Sequence, residues 1–211
     1  FYEEPYAFLL ESADGGVNLA RYSFIGTDPF MVIRGKKGKM TIVRKDGSRT
    51  TLEGRPIETL RELLAQYSSP NIPDLPRFTG GAVGYFGYDL LQYYEKLPAH
   101  RRDDLNMDDI EFMFCDQVIA FDHVKHQIKI IANVHIPEGA DRDAVCKAYE
   151  ETVQRIERTA AKLQSPLPNE RMITQNIPDK VELGEVRSNV TKEQFMANVE
   201  KAKEYIRAGD I

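Results

Sequence analysis

No tryptophan occurs anywhere in this sequence, cysteine occurs twice, and no block of lysine and arginine interrupts a chain whose formal net charge is −5. The scarcity of cysteine and the lack of a basic block each remove a class of function. Cys115 and Cys146 fall in different expected elements without CxxC spacing, which suits free thiols in a reducing cytoplasm better than a disulfide framework. Without a basic patch, and with a pI near 5.5, the chain has no electrostatic footprint for nucleic acid or an anionic membrane surface. No apolar stretch approaches the ~18 residues of a membrane span, and no signal-peptide pattern opens the chain. A globular chain of this length would typically hold roughly two or three tryptophans, so their absence is an oddity that by itself excludes nothing.

What is present is ordinary for a globular protein: 42% hydrophobic and 29% charged residues over 211 positions, enough for one large domain or a domain plus part of another. The chain begins at Phe1 and stops at Ile211 directly after "RAGDI". Both ends read as cut, and the expectation is a fragment of a longer protein.

Residues 6 to 10 and 20 to 34 carry β-branched and aromatic residues bounded by Gly, Asp and Pro, which predicts strands with a break at Asp28-Pro29. In "KMTIVRKDGSRTTL" an alternating run meets Asp46-Gly47, a hairpin turn that needs positive φ. Pro56 suits the first turn of a helix presenting Ile57, Leu60, Leu64 and Tyr67. After a Pro-rich loop, "GGAVGYFGYDLLQYY" reads as a glycine-studded strand passing into a short helix from about Asp89. "EFMFCDQVIAFDHVKHQIKIIANV" reads as two long strands joined at His123 to His126. A long amphipathic helix is expected from Asp141 to Leu163, carrying Val145, Tyr149, Val153, Ile156 and Ala160. Residues 164–187, with three prolines and no periodicity, read as a linker. Thr191 with Gln194 forms a capping box, Phe195, Val199, Ala202 and Ile206 form a stripe, and Gly209 stands where a left-handed C-terminal residue belongs. The expected class is α+β with mainly antiparallel sheet and packed helices.

Most chemical motifs fail on inspection. "GGAVGYFG" fits neither dinucleotide nor P-loop spacing, and glycine within a strand has a plain role in close backbone packing. The aromatics Tyr85, Phe86 and Tyr88 beside it are of the type that anchors interfaces. Asp122, His123 and His126 have the spacing of a metal-site fragment, but no second pair completes four ligands, and a solvated turn is the plainer reading. "RRDDLNMDD" lacks the glycine a calcium loop needs. No G-x-S-x-G elbow and no Cys/His nucleophile pair is present.

The stretch "LLESADGGVNLARYSFIG" is harder to dismiss, because an apolar strand ends directly in Glu11 and Ser12, and Arg21 opens the next strand. One reading pairs Glu11 with Arg21 across a surface hairpin, an interaction contributing about 0–1 kcal/mol. The other prepares a site for an amino-acid zwitterion. Glu11 would face the ammonium, Ser12 would offer a hydroxyl, Arg21 would take the carboxylate in bidentate fashion, and Leu10 and Tyr22 would form an apolar floor.

"LLES", "RYSFIG" followed by "DP", "GGAVGYFGYD" and "SNVTKEQFMANVEKAKEYIRAGDI" occur in this order and together resemble the large subunit, component I, of anthranilate synthase. The resemblance covers nearly the whole chain. It implies an N-terminal regulatory and structural domain over 1–163, a linker over 164–187, and the first helix of a chorismate-binding domain over 188–211, with the sandwich-like fold of chorismate-utilising enzymes. It further implies conversion of chorismate, with Mg2+ and with ammonia from a glutamine amidotransferase subunit, to anthranilate and pyruvate in the cytoplasm. L-tryptophan would be the feedback inhibitor, with Leu10, Glu11 and Ser12 at the pocket edge and Arg21 nearby. Catalytic and metal-binding residues would lie beyond Ile211, leaving this piece inactive alone. Aminodeoxychorismate synthase component I, of the folate pathway, and a non-catalytic amino-acid-sensing or partner-docking module are the alternatives.

Overall fold

Residues 4–11, 21–97, 103–166 and 187–211 are described by the computed structural model, in which contacts divide the chain into two units, Phe1–Ser165 and Pro166–Ile211. In the first unit the expected strands form two antiparallel sheets. The elements are β1 (Ala7–Leu10), β2 (Tyr22–Thr27), β3 (Met31–Lys36), β4 (Lys39–Arg44), β5 (Arg49–Glu53), α1 (Pro56–Ala65), β6 (Gly81–Phe86), a 3-10 turn (Tyr88–Tyr93), β7 (Ile110–Cys115), β8 (Gln117–Asp122), β9 (Gln127–Ala132) and α2 (Arg142–Gln164). One sheet runs β1-β2-β8-β9, the other β5-β4-β3-β7-β6. The fold is α+β with antiparallel sheets, and among the described residues no helix is long and apolar enough to cross a membrane.

One pair of strands runs through both sheets. β2 continues into β3 and β8 continues from β7, so the pairing Ile25 to Ile119 in one sheet becomes Met31 to Phe114 in the other. The β2–β3 segment therefore carries one residue more through the bend than its partner, which is the geometry of a bulge that turns a strand from one sheet to the next. Asp28, at φ 54°, lies in the longer segment and Asp116 alone separates β7 from β8. The apolar run 110–122 is thus two strands, divided by a carboxylate.

Each sheet has its own core. In the five-stranded sheet the alternate residues Met31, Ile33, Met40, Ile42, Ile110, Phe112 and Phe114 share one face, closed by Leu60 and Leu63 of α1 and Leu90 of the 3-10 turn. The helix is rotated from the expected face: Leu63 is buried, whereas Leu64 and Tyr67 are exposed. In the four-stranded sheet Val118, Ala120 and Ile131 pack with Phe8, Phe24, Leu75 and Phe78. Gly84 lets β6 lie hard against β7, since a Cβ there would stand 1.9 Å from the Glu111 carbonyl oxygen.

Asp116 is 6% exposed, and a buried carboxylate is destabilising unless paired. Arg155 of α2 donates from Nη1 to both carboxylate oxygens at 3.1 and 3.0 Å, and His135 Nε2 stands 3.3 Å away. The Asp116 carbonyl accepts from Asn133 N–H at 2.7 Å. Burial alone would raise this carboxyl, but the His135 hydrogen bond and the Arg155 charge outweigh it and hold it below the usual value. The neighbouring Cys115 thiol is free, buried and pushed up to about 12.

The second unit contains α3 (Lys192–Ala208). Thr191 Oγ1 accepts from Gln194 N–H and the Gln194 side chain accepts from Thr191 N–H, completing the expected capping box, and Gly209 closes the helix at φ 79°.

Gly84→Ala must force the β6 and β7 backbones apart and should destabilise by about 2 kcal/mol in urea unfolding. Gly35→Ala, whose Cβ would meet only the side chains of Met40 and Ile110, should cost less. Because the folded Asp116 carboxyl is depressed, its contribution is present above the unfolded value of about 3.9 and is lost as pH falls below that. Asp116→Asn should destabilise at neutral pH by about 3 kcal/mol for a stranded guanidinium, read from urea unfolding, and flatten the decline of stability below about pH 4.

Candidate functional site

In the four-stranded sheet the register aligns side chains in rows. Leu9 lies opposite Ile25, Ile25 opposite Ile119, and Ile119 opposite Ile130. The next row on the same face is Ser23, Phe121 and Ile128. Glu11 follows the last β1 pair, Leu10 with Phe24, so strand alternation adds it to that row beside Ser23. Toward the bend α2 covers this face: Gln117 donates to Thr159 Oγ1 at 2.7 Å, and a small cavity of about 230 Å³ remains between Ile119, Thr27 and Lys162. Away from the bend the face is open, with Leu9 60% and Ile128 55% exposed. A carboxylate, a hydroxyl, an aromatic ring and an aliphatic side chain therefore stand in line at the end of the sheet beyond α2, with Glu11 and Ile128 exposed and Ser23 buried.

The turn between β8 and β9 fixes the polar end of that row. Asp122 Oδ1 accepts from the Val124 and Lys125 N–H groups at 3.1 and 3.0 Å, a local Asx arrangement that shapes the turn. The same carboxylate accepts from Arg21, Nε to Oδ1 at 3.1 Å and Nη2 to Oδ2 at 2.7 Å. The Arg21 guanidinium also lies 4.9 Å from the centre of the Tyr22 ring. The Arg21 hydrogen bond, helped by the Lys125 and Val124 amides and opposed by burial, holds the Asp122 carboxyl well below the usual carboxylate range. His123 N–H donates to the Arg21 carbonyl at 2.9 Å, and His123 Nε2 stands 2.7 Å from Ser23 Oγ, whose residue is only 5% exposed.

The four sequence-derived residues are thus distributed unequally. The Glu11–Arg21 ion pair does not form. Arg21 binds Asp122, the cross-strand partner of Tyr22 in the sheet interior, with a fully desolvated carboxylate in bidentate range, whereas Glu11 is exposed on the edge strand. Leu10, paired with Phe24, and Tyr22, paired with Asp122, both lie on the face opposite Glu11, so neither supplies a floor beneath it. The apolar residues in Glu11's own row are Phe121 and Ile128. Ser12 lies outside the described residues. Ser23, Phe121 and Ile128 escaped the sequence reading because the pairing of β2 with β8 spans about a hundred residues of chain. The Asp122-His123 turn was visible as a turn; its grip on Arg21 and Ser23 was not.

Among the described residues no group of three or more His, Cys, Asp or Glu side chains could hold a metal ion. His123 is engaged with Ser23, and these residues do not fit a Mg2+ site.

Comparison with known proteins gives a consistent picture. A family model described as chorismate binding enzyme matches residues 5–211. Anthranilate synthase component 1 of Acetivibrio thermocellus is 42% identical over all of this chain and 42% of its own length. The same component of Synechocystis sp. is 35% identical over 99% of this chain and 41% of its own. The crystal structure of anthranilate synthase component I from Streptococcus pneumoniae TIGR4 superposes with a TM-score of 0.62 at 24% identity, covering 96% of this chain and 41% of that one, a likeness of fold. The chain spans about two fifths of the length of the curated relatives it matches. With the family model spanning nearly every residue and these relatives aligned along its whole length, the chain belongs to the family of chorismate-binding enzymes.

Proposed function

We propose that the protein carrying this chain acts as anthranilate synthase component 1, and that this stretch of it senses L-tryptophan rather than transforming chorismate. The observation that carries the reading is identity of 42% with an anthranilate synthase component 1 along the whole chain. On this reading the lyase chemistry, chorismate and ammonia to anthranilate and pyruvate, and its Mg2+ belong to the part of the relatives that this chain does not cover. Ammonia is supplied by a glutamine amidotransferase subunit.

The tryptophan site is centred on Glu11 and Ser12. The Glu11 carboxylate is exposed, makes no ion pair among the described residues, and stands in a row with Ser23, Phe121 and Ile128. That row supports ammonium binding at one end and contact with an indole at the other. Leu10 shapes the strand end from the opposite face. Arg21 is committed to Asp122 through Nε and Nη2 and lies over the Tyr22 ring, on the face opposite Glu11, so its part in this reading is to hold the β8–β9 turn against the start of β2. Inhibition follows if tryptophan binds a less active state better than the active one, since an effector shifts an equilibrium only by its differential affinity.

Titration of the intact protein with L-tryptophan should give saturable binding, and Glu11→Gln should weaken it about tenfold or more, the range of a lost charge-assisted hydrogen bond. Ser12→Phe should leave synthase activity and relieve inhibition; unchanged sensitivity would remove Ser12 from the site. Product analysis from chorismate and ammonia should show the ortho-substituted aminobenzoate. The para isomer would move the protein to aminodeoxychorismate synthase, and tryptophan binding with no product would leave a sensing module.

A further inference from the structure

We propose that the cavity between α2 and the near end of the four-stranded sheet binds a small organic monocarboxylate, with Arg158 as its charge partner. This site is separate from the tryptophan reading above and does not rest on it. Its floor is the sheet face at the bend, where Ile25 pairs with Ile119 and strand alternation puts Thr27 and Gln117 on the same side. Its wall is one side of α2, on which Arg155, Arg158, Thr159 and Lys162 recur at helical spacing. An aliphatic floor beneath a cationic wall suits an anion with an apolar body.

The charges of the lining set the charge of the ligand. Three carboxylates reach the cavity and each already has a cation: Glu4 has Lys162 at 3.1 Å, Asp28 has Lys45, and Asp116 has Arg155 at 3.0 Å. Arg158 is the fourth cation of the lining, exposed and without a carboxylate partner among the described residues. The cavity therefore carries one positive charge in excess. The chain as a whole carries −5, so its general field repels anions and any affinity here is local.

The hydroxyls of the cavity are arranged to donate. Thr159 Oγ1 accepts from Gln117 at 2.7 Å, and unlike Thr152, whose hydroxyl donates to the Ala148 carbonyl one turn back, it makes no such bond among the described residues. Its proton is left for a ligand oxygen. Thr27 lines the same cavity, and its hydroxyl likewise has no partner among the described residues. A guanidinium can take both oxygens of one carboxylate, the two hydroxyls reinforce it, and Ile25 and Ile119 receive the body. The volume of about 230 Å³ lies below the roughly 300–1,000 Å³ of sites for drug-sized ligands, which limits that body to about one ring.

Benzoate is the probe, since it joins one carboxylate to one apolar ring. In the intact protein labelled at its isoleucine δ1-methyls, the Ile25 and Ile119 resonances should shift saturably with benzoate, with a dissociation constant of about 1 mM for so small a ligand. Arg158→Gln should weaken this about tenfold or more, the range of a lost charge-assisted hydrogen bond, whereas Lys147→Gln, on α2 but outside the cavity, should leave it unchanged. Benzyl alcohol, a ring without the charge, and acetate, the charge without a ring, should each bind about tenfold more weakly or worse. The site is overturned if the Ile25 and Ile119 resonances do not move, or if Arg158→Gln binds benzoate as wild type does. Equal binding of benzyl alcohol or of acetate overturns the ligand class. Saturating L-tryptophan should not displace benzoate, and Glu11→Gln should not change its affinity. Displacement would merge the two sites and overturn the inference, whereas failure to bind tryptophan at all overturns only the tryptophan reading.

Discussion

A carboxylate placed at the only residue between two apolar strands organises this molecule. Asp116 separates β7 from β8 at the point where the long strand pair leaves one sheet for the other, and it is buried there. Such a charge persists only if compensated, and the compensation comes from Arg155 on α2 and from His135 after β9. The bend, the placement of the long helix and the course of the chain after the last strand are therefore one arrangement. Changing the charge at Asp116 disturbs all three.

The site's location follows from that arrangement. Because Arg155 draws α2 to the bend, the helix covers the near end of the four-stranded sheet and not the far end. The row of Ser23, Phe121 and Ile128 lies at that far end, where the β8–β9 turn supplies Asp122 and His123. A second ion pair, Arg21 with Asp122, repeats the logic of the first on a smaller scale. A buried carboxylate at the end of a strand captures the nearest guanidinium and, by doing so, holds the start of β2 against the turn. Glu11, exposed on the edge strand, is left with its charge uncommitted among the described residues.

Much of the fold was legible in local sequence. Asp28-Pro29 marked the break between β2 and β3, Asp46-Gly47 the β4–β5 hairpin, Pro56 the start of α1, and Thr191 with Gln194 and Gly209 both ends of α3. These are signals in which a residue's own covalent geometry or its neighbours within four positions decide the outcome. The division of residues 110–122 into two strands was not legible, since Asp116 in an apolar run reads equally as an edge residue or a break. The buried face of α1 was misread by one residue because Leu63 and Leu64 are equivalent in sequence. The sheet beneath selects between them.

The sequence alone determined the antiparallel α+β character, the positions of most turns and caps, and, through four ordered motifs, the family. It singled out Glu11 as a charge needing explanation. Only the tertiary structure decided that Arg21 belongs to Asp122, that Leu10 and Glu11 face opposite ways, that Ser23, Phe121 and Ile128 share a row, and that His123 meets Ser23. The physical reason is that each of these depends on pairing β2 with β8, whose register is set by the bulge at the bend and the burial of a face. A strand's hydrophobic pattern says which residues share a side, but not which distant strand will lie beside them.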